Sequence, residues 1–335
     1  MLAGIANAAP ASVAYRRIEL RDPLGGEAFP VALWYPTAAT PAHLYLTDSL
    51  TPCRWPALLC RQLAFDVLAA PDAAPADGRF GLIVISHGGG GLALNHRDLA
   101  SALAARGYVV AAPNHPRGAG NDISGVGVWV GRPQQVSRVI DALFGDAALG
   151  PRIDRARVGV VGHSNGGYTA LALAGARPDV REPERHCRQH PDDAAFCTYG
   201  GAAARESIRT LGEIPDLADR RVRAVVLMAP NAVAFPDEAL ARVAVPVRLY
   251  GAGRDTLTLV RYHAARLAGA LPPGTEYVLL ERAGHFSFIT RFPWTLGWLV
   301  GDAARDPAGL DRDALHAVIN LEIVDFFDRT LRPAR

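Results

Sequence analysis

The sequence predicts an α/β fold, a mostly parallel central sheet flanked by helices and interrupted by one inserted lid. Three observations predict it. From about residue 80 onward, short apolar runs alternate with segments of helical periodicity, the pattern that a parallel sheet with crossover helices imposes. Residues 177–221 break the alternation with a stretch rich in arginine, aspartate, proline and cysteine. Half of the 335 residues are apolar, enough to fill one large core with an insertion at its edge.

Residues 1–12 read as a flexible N-terminus. They hold an Ala-x-Ala pattern at Ala6-Asn7-Ala8 but no basic start and no long apolar segment, so they make no complete signal peptide. A single domain spans 13–335. Val13 to Leu20 and Val31 to Tyr35 read as half-buried strands in an antiparallel start, and the proline- and alanine-rich stretch 36–78 reads as a long connection, helical around Leu58 to Leu68. GLIVIS, 81–86, has the continuous apolar character of a buried strand. A helix over 95–105 ends at Gly107, and the strand YVVAAP, 108–113, follows. A glycine-rich loop through Gly131 leads to a helix over 133–144, with Pro133 suited to its first turn. The strand VGVVG then runs into a helix that ends near Ala176. After the lid, strands over 222–228, 245–251 and 276–281 restore the alternation. The segment 313–331 closes the chain as an amphipathic helix, with Leu315, Ile319, Ile323 and Phe326 on one side.

Composition removes several classes of function. A formal net charge of +2 offers no footprint for nucleic acid or an anionic membrane. No apolar run approaches the roughly 18 residues of a membrane span. There is no lysine, all 35 basic residues being arginine, which rules out Schiff-base chemistry, a P-loop lysine and a Ser-Lys dyad. The four cysteines fall into two close pairs, Cys53 with Cys60 and Cys187 with Cys197. Local pairing of an even count favours disulfides and a periplasmic or secreted location, with the cytoplasm as the alternative. The run His186-Cys187-Arg188-Gln189-His190 with Cys197 matches no common zinc frame, so no metal and no cofactor is expected.

The chemistry centres on Gly162-His163-Ser164-Asn165-Gly166, a Gly-x-Ser-x-Gly pattern at the join of a buried strand and a helix. A serine hydroxyl is a weak nucleophile, so it needs a base in contact and donors for the oxyanion. The donors are expected from Ser86-His87-Gly88-Gly89-Gly90-Gly91, where main-chain amides can approach a ligand closely. Gly89 and Asn165 are assigned as the two N–H donors, with Gly88 in support and His87 as a buttress. The base is expected after the last strand, where His285 stands in Arg282-Ala283-Gly284-His285-Phe286. Asp255, after the preceding strand, would fix the imidazole tautomer, with Asp237 as its fallback. Leu92, Trp129, Phe286 and Phe288 follow or flank these loops and are expected to line the pocket.

The order Ser164, Asp255, His285 resembles that of the α/β-hydrolases. Val31-Ala-Leu-Trp-Tyr-Pro36, Ser86-His87-Gly88 and Gly107-Tyr-Val-Val-Ala-Ala-Pro113 further resemble the dienelactone-hydrolase-like and platelet-activating-factor-acetylhydrolase-like serine esterases. Dienelactone hydrolases proper use cysteine where this chain has Ser164, so their substrate is not inherited. Some acetylhydrolase relatives carry the acid after the sixth strand; Met228-Ala229-Pro230-Asn231 has no carboxylate there, which strengthens Asp255. The resemblance implies a cofactor-independent carboxylic ester hydrolase that forms an acyl-enzyme on a small-molecule ester with a small to medium acyl or aryl group. An amidase, lactonase or acyltransferase with the same triad is the alternative within enzymes, and a non-catalytic ligand-binding relative is the alternative outside them.

Overall fold

Runs that are apolar on both faces need cover on both sides, and they obtain it as the middle strands of one sheet. The structure is a computed structural model that describes residues 11–47, 64–116, 126–200, 212–292, 295 and 297–331. Among these residues ten strands occur: β1 Ser12–Arg21, β2 Ala28–Thr37, β3 Ala42–Leu46, β4 Phe65–Pro71, β5 Phe80–Ser86, β6 Tyr108–Pro113, β7 Ile153–His163, β8 Val222–Met228, β9 Val247–Ala252 and β10 Glu276–Leu280. Their order is β10-β9-β8-β7-β5-β6-β2-β1-β4-β3. The six from β5 to β10 run parallel to one another, whereas β2 pairs antiparallel with both β6 and β1.

The helix expected around 58–68 is corrected where it can be seen. Phe65–Pro71 is strand β4, antiparallel to β3 and briefly parallel to β1. Its first four residues alternate buried and exposed, a period of two that a helix cannot satisfy. Residues 58–63 lie outside the described residues.

Helices cover both faces. On one side α1 (Arg97–Ala105) and α6 (Arg312–Thr330) bury Leu99, Leu103, Ile319, Ile323 and Phe327 against the sheet. On the other, α2 (Arg132–Gly145), α3 (Asn165–Leu173) and α5 (Ala264–Ala270) contribute Val136, Ile140, Tyr168, Leu171 and Leu267. Within 177–221, α4 (Glu182–Gln189) is tied by the Cys187–Cys197 disulfide, with Cα atoms 5.6 Å apart. Cys53 and Cys60 lie outside the described residues. Among the described residues no helix is long and apolar enough to cross a membrane.

The topology places one crevice. The chain leaves β5 for β6 on one side, then crosses back to β7 on the other. The loops after β5 and β7 therefore diverge at the carboxyl ends of the strands, where open α/β sheets bind ligands.

Candidate active site

Ser164 sits between β7 and α3 with φ 54° and ψ −116°, a conformation that costs a non-glycine residue about 1–3 kcal/mol. The surroundings enforce it. A Cβ on Gly162 would stand 2.0 Å from the Gly166 carbonyl oxygen, and one on Gly166 would stand 1.9 Å from that of Ser86. A Cβ on Gly167 would meet Pro230 Cβ at 2.4 Å, so the turn admits no side chain at these three positions. The Ser164 N–H donates to Met228 O at 3.0 Å, and its carbonyl accepts from Gly167 and Asn231 at 2.8 and 2.9 Å.

Two later loops bring His285 and Asp255 together. His285 opens a short 3₁₀ turn after β10, and Asp255 follows β9. His285 Nδ1 donates to Asp255 Oδ2 at 2.8 Å, both side chains being almost fully buried. Asp255 Oδ1 accepts the backbone N–H groups of Leu257 and Thr258 at 2.8 and 2.9 Å, while the Thr258 hydroxyl donates to Oδ2 at 2.8 Å. Burial pushes the Asp255 carboxyl up, but His285 and the Thr258 donors outweigh it and hold the group below its ordinary value. Ser164 and His285 line the same cavities without a hydrogen bond between their side chains; such contacts often tighten only around a bound reactant. Thr258 escaped the sequence reading. Its signal is the Asp-x-x-Thr spacing of an Asx-type turn.

The glycine loop after β5 is aimed from behind. The buried Arg132 donates to the carbonyls of His87 at 2.7 Å and Gly88 at 3.3 Å. His87 Nδ1 donates to the Gly88 carbonyl at 2.7 Å, and the Gly91 N–H adds a third donor at 3.2 Å. In a trans peptide the C=O and the following N–H point oppositely, so anchoring the Gly88 carbonyl inward turns the Gly89 N–H outward. Gly89 lines both cavities beside Ser164, and Asn165 lines the larger. A Cβ on Gly88 would stand 3.1 Å from His163 Nδ1 and 3.3 Å from Ser164 Cβ, so the loop runs tight against the serine turn there.

Behind the loop, His115 donates from Nδ1 to Gln135 Oε1 at 2.7 Å and accepts the Ser86 hydroxyl at Nε2 at 2.8 Å. The His115 N–H donates to His87 Nε2 at 3.2 Å, which leaves the His87 proton on Nδ1. Burial, reinforced by the Arg132 charge, drives both imidazoles far below their ordinary pKa, so they serve as neutral scaffolding. His163 is neutral for the same reason of burial, and its Nε2 donates to the His285 carbonyl at 2.9 Å.

Two cavities, of about 570 and 260 Å³, meet at Ser164, Gly89, His285 and Phe286. Leu92 lines the smaller and Phe286 lines both. Trp129 and Phe288, expected in the pocket, line neither. Trp129 enters α2 from a turn that faces the core and packs edge-on against Tyr168, centroids 4.7 Å apart. Phe288 is 2% exposed, wedged between His163 and Tyr250. Among the described residues no group of three or more His, Cys, Asp or Glu side chains is arranged to hold a metal ion.

These neutral histidines set the acid response of the fold. Burial lowers His96 to about 4 and holds His87, His115 and His163 well below their ordinary value. In the unfolded chain they titrate near ~6.5, so below that pH the unfolded state binds more protons and gains stability. Their contribution is present above the unfolded pKa and is lost as pH falls through the window down to about 4. His96 alone accounts for roughly 3 kcal/mol across it. Urea melts between pH 7 and pH 4 should show the midpoint falling from about pH 6.5, well above the carboxylate range. A flat midpoint down to about pH 5 would show that these imidazoles are charged in the fold.

Comparison with known proteins places this geometry. The family model described as Serine aminopeptidase, S33 (Hydrolase_4) matches residues 78–183, which hold the glycine loop and the serine turn. A bis(hydroxyethyl) terephthalate hydrolase from Streptomyces coelicolor is 26% identical over 230 residues, 67% of this chain. The match spans 57% of that protein's own length. A solved ferulic acid esterase from Streptomyces cinnamoneus superposes with a TM-score of 0.67 at 23% identity, covering 98% of this chain and 94% of that one. Together with the sheet order, the strained serine turn after β7 and the later loops that carry Asp255 and His285, these likenesses show that this chain has the α/β-hydrolase fold.

Proposed function

We propose that the protein is a serine carboxylic ester hydrolase that works through an acyl-enzyme. The observation that carries the reading is a strained Ser164 sharing its cavities with a buried His285–Asp255 pair. Ser164 Oγ attacks the ester carbonyl carbon as His285 Nε2 takes its proton. The carbonyl oxygen, now anionic, accepts from the Gly89 and Asn165 amides. Collapse of the tetrahedral species breaks the bond to the alcohol oxygen, which takes the proton from His285. Water then repeats the sequence on the acyl-serine and releases the acid.

The substrate class follows from the space and from the relatives. A cavity of about 570 Å³ joined to one of 260 Å³ suits a small to medium acyl or aryl ester with a group on each side of the carbonyl. Both similar proteins are named for esters of aromatic acids, which supports an aryl acyl group here. The Cys187–Cys197 bridge supports a periplasmic or secreted location.

A panel of p-nitrophenyl esters, an aryl diester such as bis(hydroxyethyl) terephthalate, a lactone and a matched anilide tests the reading. The expected result is saturable hydrolysis of the esters, with the anilide of the same acid far slower. Hydrolysis of no ester, or preference for the anilide, would overturn it.

A further inference from the structure

Asp193 is fully buried, although it belongs to an excursion whose neighbouring residues are largely exposed. Its Oδ2 accepts from His186 Nε2 at 2.8 Å and from His263 Nε2 at 3.3 Å. His263 Nδ1 is occupied as an acceptor of the Ala232 N–H at 3.3 Å, which places the His263 proton on Nε2, facing Asp193. His186 stands on α4, inside the excursion, and His263 at the start of α5, on the main body. A single carboxylate oxygen therefore fastens one to the other. Burial pushes the Asp193 carboxyl up, but the two imidazole donors bring it down to about 2, so it stays ionised.

The contacts around this latch lead into the active-site cavity. Phe196 packs edge-on against both imidazoles, with centroids 5.6 and 5.7 Å away, and the Cys197 N–H donates to the Asp193 carbonyl at 3.0 Å. Ala195 and Phe196 line the larger cavity together with Ser164 and His285. On the other side of His263, Ala232 follows Asn231, whose N–H holds the Ser164 carbonyl and whose Nδ2 donates to Asn165 Oδ1 at 3.0 Å. The latch thus stands between the cavity wall and the segment that braces the serine turn.

We propose that Asp193 is a positioning residue for substrate selection. By bridging His186 and His263, it holds Phe196 as a fixed wall of the larger cavity and so sets which ester groups fit beside Ser164. The proposal rests on the ester-hydrolase reading. Asp193 touches no substrate itself.

The test compares kcat/KM for p-nitrophenyl esters of a short acyl group and of a bulky aryl acyl group. Phe196→Ala should shift their ratio by about tenfold, the scale of a changed apolar wall. His186→Leu, which removes one donor to Oδ2, should shift it in the same direction, and adding it to Phe196→Ala should change little more. His186→Gln, whose side-chain amide can still donate, should restore the wild-type ratio. Asp193→Asn should behave as His186→Leu if it folds; the His186 variants decide the matter if it does not. Tryptic nicking after Arg181, Arg185 and Arg188 gives a readout independent of turnover, and it should quicken in His186→Leu but not in His186→Gln. Faster nicking with an unchanged ester ratio would overturn the role in selection, and unchanged nicking would overturn the latch. A wild type that hydrolyses no ester would instead overturn the reading beneath, whatever the nicking shows.

Discussion

Ser164→Ala is expected to lower kcat by roughly 10⁶-fold, since the attacking atom is gone and only oriented binding remains. The fold should not suffer. Alanine keeps the Cβ, so the strained φ of 54° costs the same in both chains. The hydroxyl forms no hydrogen bond with His285, and the bonds that hold the turn run through the Ser164 backbone. Thermal or urea unfolding should therefore agree with wild type within about 0.5 kcal/mol, the range of a substitution that breaks no buried contact. Two measurements check this together: a steady-state assay and labelling with a fluorophosphonate, which should modify wild type once per chain and the variant not at all. Residual activity above about 1% of wild type would exclude Ser164 as the nucleophile, because oxyanion donors and binding alone fall far short of that.

What could be read in the sequence, and what could not, divides along one physical line. Strands β5 to β9 announce themselves because the stretches of them that are buried on both faces are largely apolar. Strand β4 does not, because its alternation is short and its character depends on β3 and β1 alongside it. Ser164 is legible through its glycines, each excluded from carrying a Cβ by a backbone atom or proline within 2.4 Å. His285 and Asp255 are legible through their order after successive strands.

The residues that aim the site are not legible, because nothing local marks a contact made across the fold. Arg132 reaches back 45 residues to the His87 carbonyl, and Asp193 reaches 70 residues forward to His263. Both are charged residues in stretches that read as helix or polar excursion, and only burial reveals that they hold something. Trp129 and Phe288 fail in the opposite sense. An aromatic beside a functional loop can turn toward the ligand or toward the core, and packing alone decides, here for the core.

Asp255→Asn is expected to lower kcat by about 10⁴-fold near neutral pH through the wrong imidazole tautomer. The site leaves the asparagine no choice of orientation. Two backbone N–H groups point at Oδ1, so the amide oxygen must take that place and the NH₂ must take the place of Oδ2. The NH₂ then donates to His285 Nδ1, which drives the imidazole proton to Nε2, the side that has to accept from Ser164. A 10⁴-fold loss is about 5 kcal/mol of transition-state stabilisation, too large to come from a weakened anchor alone. Thr258→Ala separates the two effects, since it removes one donor to Oδ2 while leaving the carboxylate and the tautomer intact. It should cost no more than about tenfold, the scale of one hydrogen bond to a charged group. Equal losses in the two variants would mean that Asp255 merely supports its loop, and a loss below about tenfold in Asp255→Asn would mean that another group holds the imidazole.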